Sequence, residues 1–166
     1  PTARTTRQLL CSRPSEAVAE GRVSMIQRIS VGGRLPLKIS GQEMRVVGDT
    51  IHAFIAADLS TDLDDREGVA RALIAGAGLT GALTPTVVVM AATRLAAWLE
   101  TNTVGAAYAG VPVQQQLDDG RRLIGEIDLL VRSPTGGWIV IDHKSYPGDD
   151  VGLEVRLPKW AGQLKA

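Results

Sequence analysis

Two apolar segments in the C-terminal third of the chain each carry an acidic residue among branched aliphatic side chains. The first segment covers residues 123–131 and contains Asp128, and the second covers residues 138–144 and contains Asp142. The sequence Ser-Pro-Thr-Gly-Gly at residues 133–137 separates them and predicts a tight turn, so the two segments are expected to pair as a β-hairpin. A carboxylate among aliphatic groups costs free energy unless a partner compensates it. This hairpin therefore restricts the fold to one that brings a compensating group to both acids.

The turn sets the register of the predicted hairpin. If the turn is centred on Thr135, Ser133 faces Gly137, and Asp128 then lies directly opposite Asp142. Cross-strand neighbours have β-carbon atoms about 4.5–5.5 Å apart, so the two carboxylates repel each other. Either one of them is protonated or a divalent cation lies between them. Carboxylate oxygens are the ligands that Mg²⁺ and Mn²⁺ prefer.

Side chains alternate between the two faces of a strand. Asp142 and Lys144 therefore share one face with Asp128, and Glu126 lies opposite Lys144. The side chain of His143 is expected on the other face, in a structural role. Two interpretations stay open. One is a metal centre that acts on a phosphodiester, with Lys144 stabilising the charge that develops; the other is an ordinary Glu126–Lys144 ion pair beside solvated acids.

The bulk composition limits the class of protein. The chain has 166 residues, of which 45% are hydrophobic and 22% are charged, as in a soluble globular domain. The 18 basic and 18 acidic residues cancel, whereas dedicated nucleic-acid-binding domains are usually basic. The single cysteine, Cys11, excludes an internal disulfide, and no apolar stretch is long enough to span a membrane. Any contact with nucleic acid is therefore expected from a local patch or from a partner domain.

The remaining pattern predicts helices before the hairpin and one after it. A first helix is expected from residue 51, capped by Asp49 or Thr50, and two others over 63–76 and 85–100. Thr84 and Pro85 suit the cap and the first residue of the last of these helices. A strand is predicted over 104–117, and a helix begins at residue 159. This order favours an α/β or α+β fold with helices packed on a sheet.

Several of these residues match a known nuclease signature. Gly125-Glu-Ile-Asp128 followed by Ile141-Asp-His-Lys-Ser145 resembles the G-x-[IV]-D and [IV]-D-x-K-[ST] motifs of RecB-like nuclease domains, within the PD-(D/E)xK superfamily. The stretch Gly48-Asp-Thr-Ile-His52 is similar to the upstream G-x-x-x-H motif of that family, and Gln163 fits the first position of its Q-x-x-x-Y motif. The resemblance runs from Gly48 to Gln163. It departs at Ala109-Gly-Val-Pro112, where the family often has an acid before the proline.

The resemblance implies a fold and a set of site residues. The fold would be α/β, with a restriction-endonuclease-like mixed central sheet flanked by helices. The chain would be a single nuclease domain over 1–166, excised from a longer protein, with N-terminal elements at 1–47 and the motif-bearing core at 48–166. The metal ligands would be His52, Asp128, Asp142 and the backbone carbonyl of His143. The catalytic residues would be Asp128, Asp142, Lys144 and Gln163, with Mg²⁺ as the cofactor and Mn²⁺ as a substitute.

The resemblance also implies a function and its partners. The closest similarity is to the C-terminal domain of UvrD-type helicase–nucleases, which implies an exonuclease V-like, Mg²⁺-dependent deoxyribonuclease in recombinational DNA repair. Its substrate would be single-stranded DNA supplied by a helicase domain of the same parent chain, with a possible partner subunit, in the bacterial cytoplasm and not at a membrane. The alternatives are an inactive nuclease-like module that binds DNA or a partner subunit, and a scaffold with an exposed acid pair.

The aromatic and basic residues near the hairpin are candidates either for packing and solvation or for contacts with nucleic acid. Trp98 and Trp138 are expected in the core or at its edge, whereas Tyr146 and Trp160 can stack on bases of a single strand. Three arginines flank the hairpin and either contact phosphates or are ordinary solvated charges, namely Arg121, Arg122 and Arg132.

Overall fold

The structure is a computed structural model that describes residues 11–12, 31–37, 44–118, 120–146, 148, 151–156 and 160. The helices are α1 (Met44–Ser60), α2 (Arg66–Gly76) and α3 (Pro85–Asn102). The strands are β1 (Cys11–Ser12), β2 (Val104–Gln116), β3 (Arg122–Arg132) and β4 (Trp138–Ile141). Residues 151–156 are also helical. None of the helices in the described ranges has the length and apolar character needed to cross a membrane.

The strands form a four-stranded mixed sheet around β3. β3 pairs with β1 in parallel and with β4 in the antiparallel direction, and β2 is its other neighbour. This combination of helices and a mixed sheet confirms the predicted α/β class. The chain divides into two compact units, of which the larger comprises Met25–Val111 and Ile127–Asp149. The other comprises Pro1–Ser24, Pro112–Glu126 and Asp150–Ala166.

The three helices of the larger unit pack around one apolar core. In α1 the buried residues Val47, Ile51, Phe54 and Ile55 recur every three to four positions, so they form one stripe of the helix. Buried apolar side chains of α2 and α3 pack against this stripe and complete the core. They are Ala70, Ile74, Val87, Val88 and Ala92.

The start of α1 differs from the sequence prediction. Asp49 or Thr50 was expected to cap the helix, but the helix already begins at Met44. Met44 and Val47 are buried and extend the apolar stripe towards the N-terminus, which explains the additional turns. Thr50 lies inside the helix, where its hydroxyl donates a hydrogen bond of 2.8 Å to the carbonyl of Val46.

The start of α3 is where the sequence predicted it, and the start of α2 has a capping contact that was not predicted. Thr84 and Pro85 occupy the predicted positions in α3, although the Thr84 side chain makes no capping hydrogen bond. In α2 the carboxylate of Asp65 accepts a hydrogen bond of 2.7 Å from the backbone N–H of Gly68, as an N-cap does.

The predicted hairpin register is confirmed. The backbone N–H of Ser133 donates to the carbonyl of Gly137 at 2.8 Å, and Gly136 adopts a φ of +96°, which favours glycine. Leu129 pairs with Ile141 at the far end of the ladder, and Asp128 and Asp142 are the residues that adjoin this last pair. The second strand is shorter than expected, because β4 ends at Ile141 and not at residue 144.

The two faces of the hairpin differ in burial. Leu129 and Val131 of β3 are buried and pack with Leu99 of α3 and with Ile139 and Ile141 of β4. Trp98 of α3 packs against the same cluster, as predicted. The prediction for Trp138 is wrong: this side chain is 53% exposed, because it alternates with Ile139 and so points to the opposite face. The helix predicted from residue 159 lies almost wholly outside the described residues.

The Asp65 cap gives a first testable prediction. Asp65→Ala removes the acceptor for the Gly68 N–H and should lower the free energy of unfolding by about 1 kcal/mol, the typical cost of a lost N-cap. Urea denaturation followed by circular dichroism measures this loss. Asp65→Asn is the matched control, because its side-chain oxygen can still accept the bond. If the two variants lose equal stability, the cap does not stabilise α2.

Candidate metal centre

Three elements of the larger unit bring a carboxylate and two imidazoles together. His52 comes from the middle of α1, Asp128 from β3, and His143 from the segment directly after β4. Oδ2 of Asp128 lies 3.8 Å from Nδ1 of His52 and 3.9 Å from Nδ1 of His143. The side chains are 20–29% exposed, so the cluster is partly shielded from solvent yet remains accessible.

A glycine allows α1 to lie close to the segment after β4. Gly48 is one helical turn before His52, and a β-carbon at this position would lie 3.1 Å from Oγ of Ser145. Such a contact is tighter than ordinary van der Waals distance, so a side chain here would require the Ser145 hydroxyl to move by a few tenths of an ångström. The glycine of the G-x-x-x-H stretch therefore has a physical role: it lets the helix that carries His52 approach the segment that carries His143.

The side chain of His143 differs from the sequence prediction. Strict alternation placed it on the face away from the acids, but β4 ends at Ile141, so alternation does not govern residue 143. Its ring centroid lies 5.0 Å from that of His52. Both of its ring nitrogens are buried and have no hydrogen-bond partner among the described residues. The sequence shows a histidine beside Asp142, but it gives no sign of where the strand ladder stops.

Burial lowers the pKa of the His143 imidazole below its ordinary value of 6.5, and the neighbouring His52 ring lowers it further. The carboxylates of Asp128 and Asp142 act in the opposite direction, and Lys144 adds to the lowering. The net effect favours a neutral ring at neutral pH. A neutral imidazole has a lone pair that can bind a metal.

Asp128 and Asp142 have different partners. Oδ2 of Asp128 accepts a hydrogen bond of 2.7 Å from the backbone N–H of His143, which ties the end of β3 to the segment after β4. Asp142 instead accepts a hydrogen bond of 2.7 Å from Nζ of Lys144, and the two form an ion pair. Lys144 was expected to lie opposite Glu126 in the β3–β4 ladder. This prediction is wrong, because β4 ends three residues earlier, at Ile141.

A cleft of about 620 Å³ lies along these residues. Four polar side chains line one part of it, namely His52, Asp142, His143 and Lys144. Apolar residues of α1 and α3 line another part, and Tyr146 and Arg94 also contribute. This volume is within the range of sites that bind small organic ligands, so it can admit part of a substrate beside the polar side chains.

The donor set of the cluster fits a divalent cation. One ligand atom from each of His52, Asp128 and His143 can be chosen so that all three lie within 4.8 Å of one another. Two ligands on opposite sides of a cation at about 2.1 Å would be about 4.2 Å apart, so modest side-chain movement is enough. The unpartnered nitrogens of His143 support this fit, because buried polar atoms normally have partners. Asp142 is outside this set, and Gln163 lies outside the described residues.

The lowered pKa of His143 gives a second prediction. In metal-free protein its ring should titrate below 6.5, which a pH series of ¹H–¹³C NMR spectra measures directly. The chain has 2 histidines, so His52→Gln leaves one ring signal and secures the assignment. A ring that titrates at or above 6.5 would contradict the burial argument.

The same shift predicts how stability depends on pH. Below pH 6.5, His143 of the unfolded chain binds a proton. His143 of the folded chain binds this proton only at a lower pH, because its pKa is lowered. The free energy of unfolding should therefore decrease as pH falls from 6.5 to the lowered pKa, and level off beyond it. Chemical denaturation across this range should show a smaller slope for His143→Gln than for the wild type. Equal slopes would contradict the prediction.

The comparisons with known proteins cover the part of the chain that contains this cluster. The family model of the PD-(D/E)XK nuclease superfamily matches residues 28–166, a range that includes α1, the hairpin and the polar cluster. No curated protein and no solved structure gave a match. The mixed α/β fold is consistent with the restriction-endonuclease-like fold that the resemblance implied. Since the family model covers most of the sequence, the chain belongs to the PD-(D/E)XK nuclease superfamily.

Proposed function

We propose that this chain is a divalent-metal-dependent deoxyribonuclease. The observation that carries the proposal is the meeting of His52, Asp128 and His143 in a chain from a nuclease superfamily. The two histidines and the Asp142–Lys144 pair also line one cleft. The reaction adds water across a P–O bond of the DNA backbone. One product ends in a phosphate and the other in a hydroxyl group.

The metal would be held by the two imidazoles and the carboxylate of the cluster. Asp142 and the backbone carbonyl of His143, both expected as ligands from the sequence, remain further candidates. A bound divalent cation would polarise the phosphate and stabilise negative charge on its oxygens. Mg²⁺ prefers oxygen ligands, whereas imidazole suits transition ions. We therefore propose that Mn²⁺ binds more tightly than Mg²⁺, and that Mg²⁺ is used where it is the more abundant ion.

Lys144 and Asp142 would act together. The ammonium group of Lys144 is 2.7 Å from Oδ1 of Asp142, so its position is restrained at the cleft. A phosphate in the cleft would gain the attraction of this positive charge as the negative charge on its oxygens increases during attack. Asp142 keeps the ammonium group in place through this ion pair.

The finer features of the proposal rest on the motif resemblance. They are exonuclease action on single-stranded ends, delivery of the strand by a helicase domain or partner subunit, and a role in recombinational repair. Gly48-Asp-Thr-Ile-His52 and Gln163 support them, since these residues match motifs of RecB-like domains. The zero net charge also favours delivery by a partner, because phosphate contacts supply most of the affinity of independent DNA binders.

Activity of the purified chain tests the catalytic proposal. We expect digestion of end-labelled single-stranded DNA with Mn²⁺ or Mg²⁺ and none with EDTA. Asp128→Asn and Lys144→Met should each lower the rate about 100-fold or more, as for loss of a charge-stabilising group. Asp62→Asn changes an exposed acid in the α1–α2 loop and is the matched control, with an unchanged rate. Circular single-stranded DNA should resist digestion if the enzyme requires an end.

Two outcomes would contradict this scheme. If the wild type and Asp142→Ala digest DNA equally slowly while both bind it, the chain is an inactive binding module. If circular and linear substrates are cut at the same rate, the enzyme is an endonuclease and the exonuclease proposal is wrong.

Metal titration separates the two roles proposed for His143. His143→Ala removes the ring but keeps the backbone carbonyl. If the ring is a ligand, the affinity for Mn²⁺ measured by isothermal titration calorimetry should fall about tenfold or more, a difference of about 1.4 kcal/mol. His52→Ala should have a similar effect, and Asp62→Asn should have none. Unchanged affinity in His143→Ala would leave the carbonyl as its only possible ligand atom.

A further inference from the structure

An exposed aromatic cluster lies on the hairpin, separate from the metal centre. Trp138 on β4 is 53% exposed and Tyr108 on β2 is 50% exposed. Their rings meet edge to face, with centroids 6.2 Å apart and an angle of 61° between the ring planes. The guanidinium carbon of Arg132 lies 4.9 Å from the centroid of the Trp138 ring. We call Tyr108, Arg132 and Trp138 the aromatic platform.

The strand pairing fixes the exposure of the platform. Arg132 and Trp138 are directly paired across the β3–β4 ladder, so their side chains project from the same face. The neighbouring residue Ile139 packs into the core on the other face. Val140, which follows on the same face as Trp138, is also exposed at 44%. The Trp138 ring therefore faces solvent because of the β3–β4 register, and not because of a local distortion.

The platform lies a short distance along β3 from the metal centre. Arg132 and Asp128 are four residues apart on this strand. At about 3.3 Å per residue, roughly 13 Å of strand separates them. A nucleic acid strand bound at Asp128 would cover this distance in about four nucleotides, taking the 3.4 Å rise of a stacked strand.

We propose that the aromatic platform binds bases of the single-stranded substrate, at nucleotides about four positions away from the bond that is cleaved. This inference rests on the proposed function and names the form of its substrate. The rings of Trp138 and Tyr108 offer faces and edges for base stacking, and Arg132 contributes a positive charge for the adjoining phosphates. Unpaired bases can reach these rings, whereas bases within a duplex are stacked on each other. A positive charge fixed against the ring complements a polyanion better than it complements an apolar protein surface.

The test compares substitutions at Trp138 in the full chain. Binding of fluorescent oligothymidylate of about 12 nucleotides, within the usual site sizes of single-strand binders, is measured by anisotropy in EDTA so that nothing is cleaved. Trp138→Leu should weaken binding about tenfold or more, and Trp138→Phe should retain most of it because a ring remains. Val140→Ala is the matched control on the same face and should bind as the wild type does.

The outcomes separate the platform from the catalytic proposal. If the wild type binds oligothymidylate no better than Trp138→Leu does, the inference is wrong. It is also wrong if sedimentation shows wild-type dimers that Trp138→Leu disrupts while DNA binding is unchanged, since the surface then contacts a second copy. Trp138-dependent binding without any metal-dependent cleavage would sustain the platform and refute the nuclease. If metal-dependent cleavage occurs and Trp138→Leu leaves the affinity for the substrate unchanged, the nuclease proposal stands and the platform proposal is wrong.

Discussion

The pairing register of β3 and β4 is the constraint on which the rest of the site depends. It directs Leu129 and Val131 into the core with α3, and Asp128 is the residue directly before Leu129 on the same strand. A shift of one residue would turn Leu129 and Val131 out of the core. The packing of these two side chains therefore holds the strand that carries Asp128 in register.

A second constraint acts between the helix and the hairpin. The absence of a side chain at Gly48 lets α1 lie against Ser145, and this contact brings the ring of His52 to the carboxylate of Asp128. The polar cluster is thus assembled from residues far apart in the chain by one apolar interface and one glycine. This explains why a short motif with a glycine four residues before a histidine is informative about a site on a distant strand.

The sequence was sufficient for the parts of the site that depend on local periodicity. The hairpin register, α2 and α3 follow from alternation, helical spacing and turn residues, and the structure agrees with them. The exposure of Trp138 also follows from its alternation with Ile139, although the prediction placed this side chain in the core or at its edge. The first turns of α1 and the orientation of His143 could not be predicted. Each depends on where tertiary packing begins or where a ladder of hydrogen bonds stops, and neither is encoded in the neighbouring residues alone.

The point at which β4 ends has a consequence for metal selectivity. If the ladder continued through residue 144, the ring of His143 would turn towards the helices, and the donors near Asp128 would be mainly oxygen atoms, as Mg²⁺ prefers. Because the ladder ends at Ile141, a second nitrogen donor lies beside that carboxylate. Two chains with the same residues at these positions would then present different donor atoms, depending only on the length of one strand. A change in the length of this strand would alter the donor set without a substitution at any of these positions.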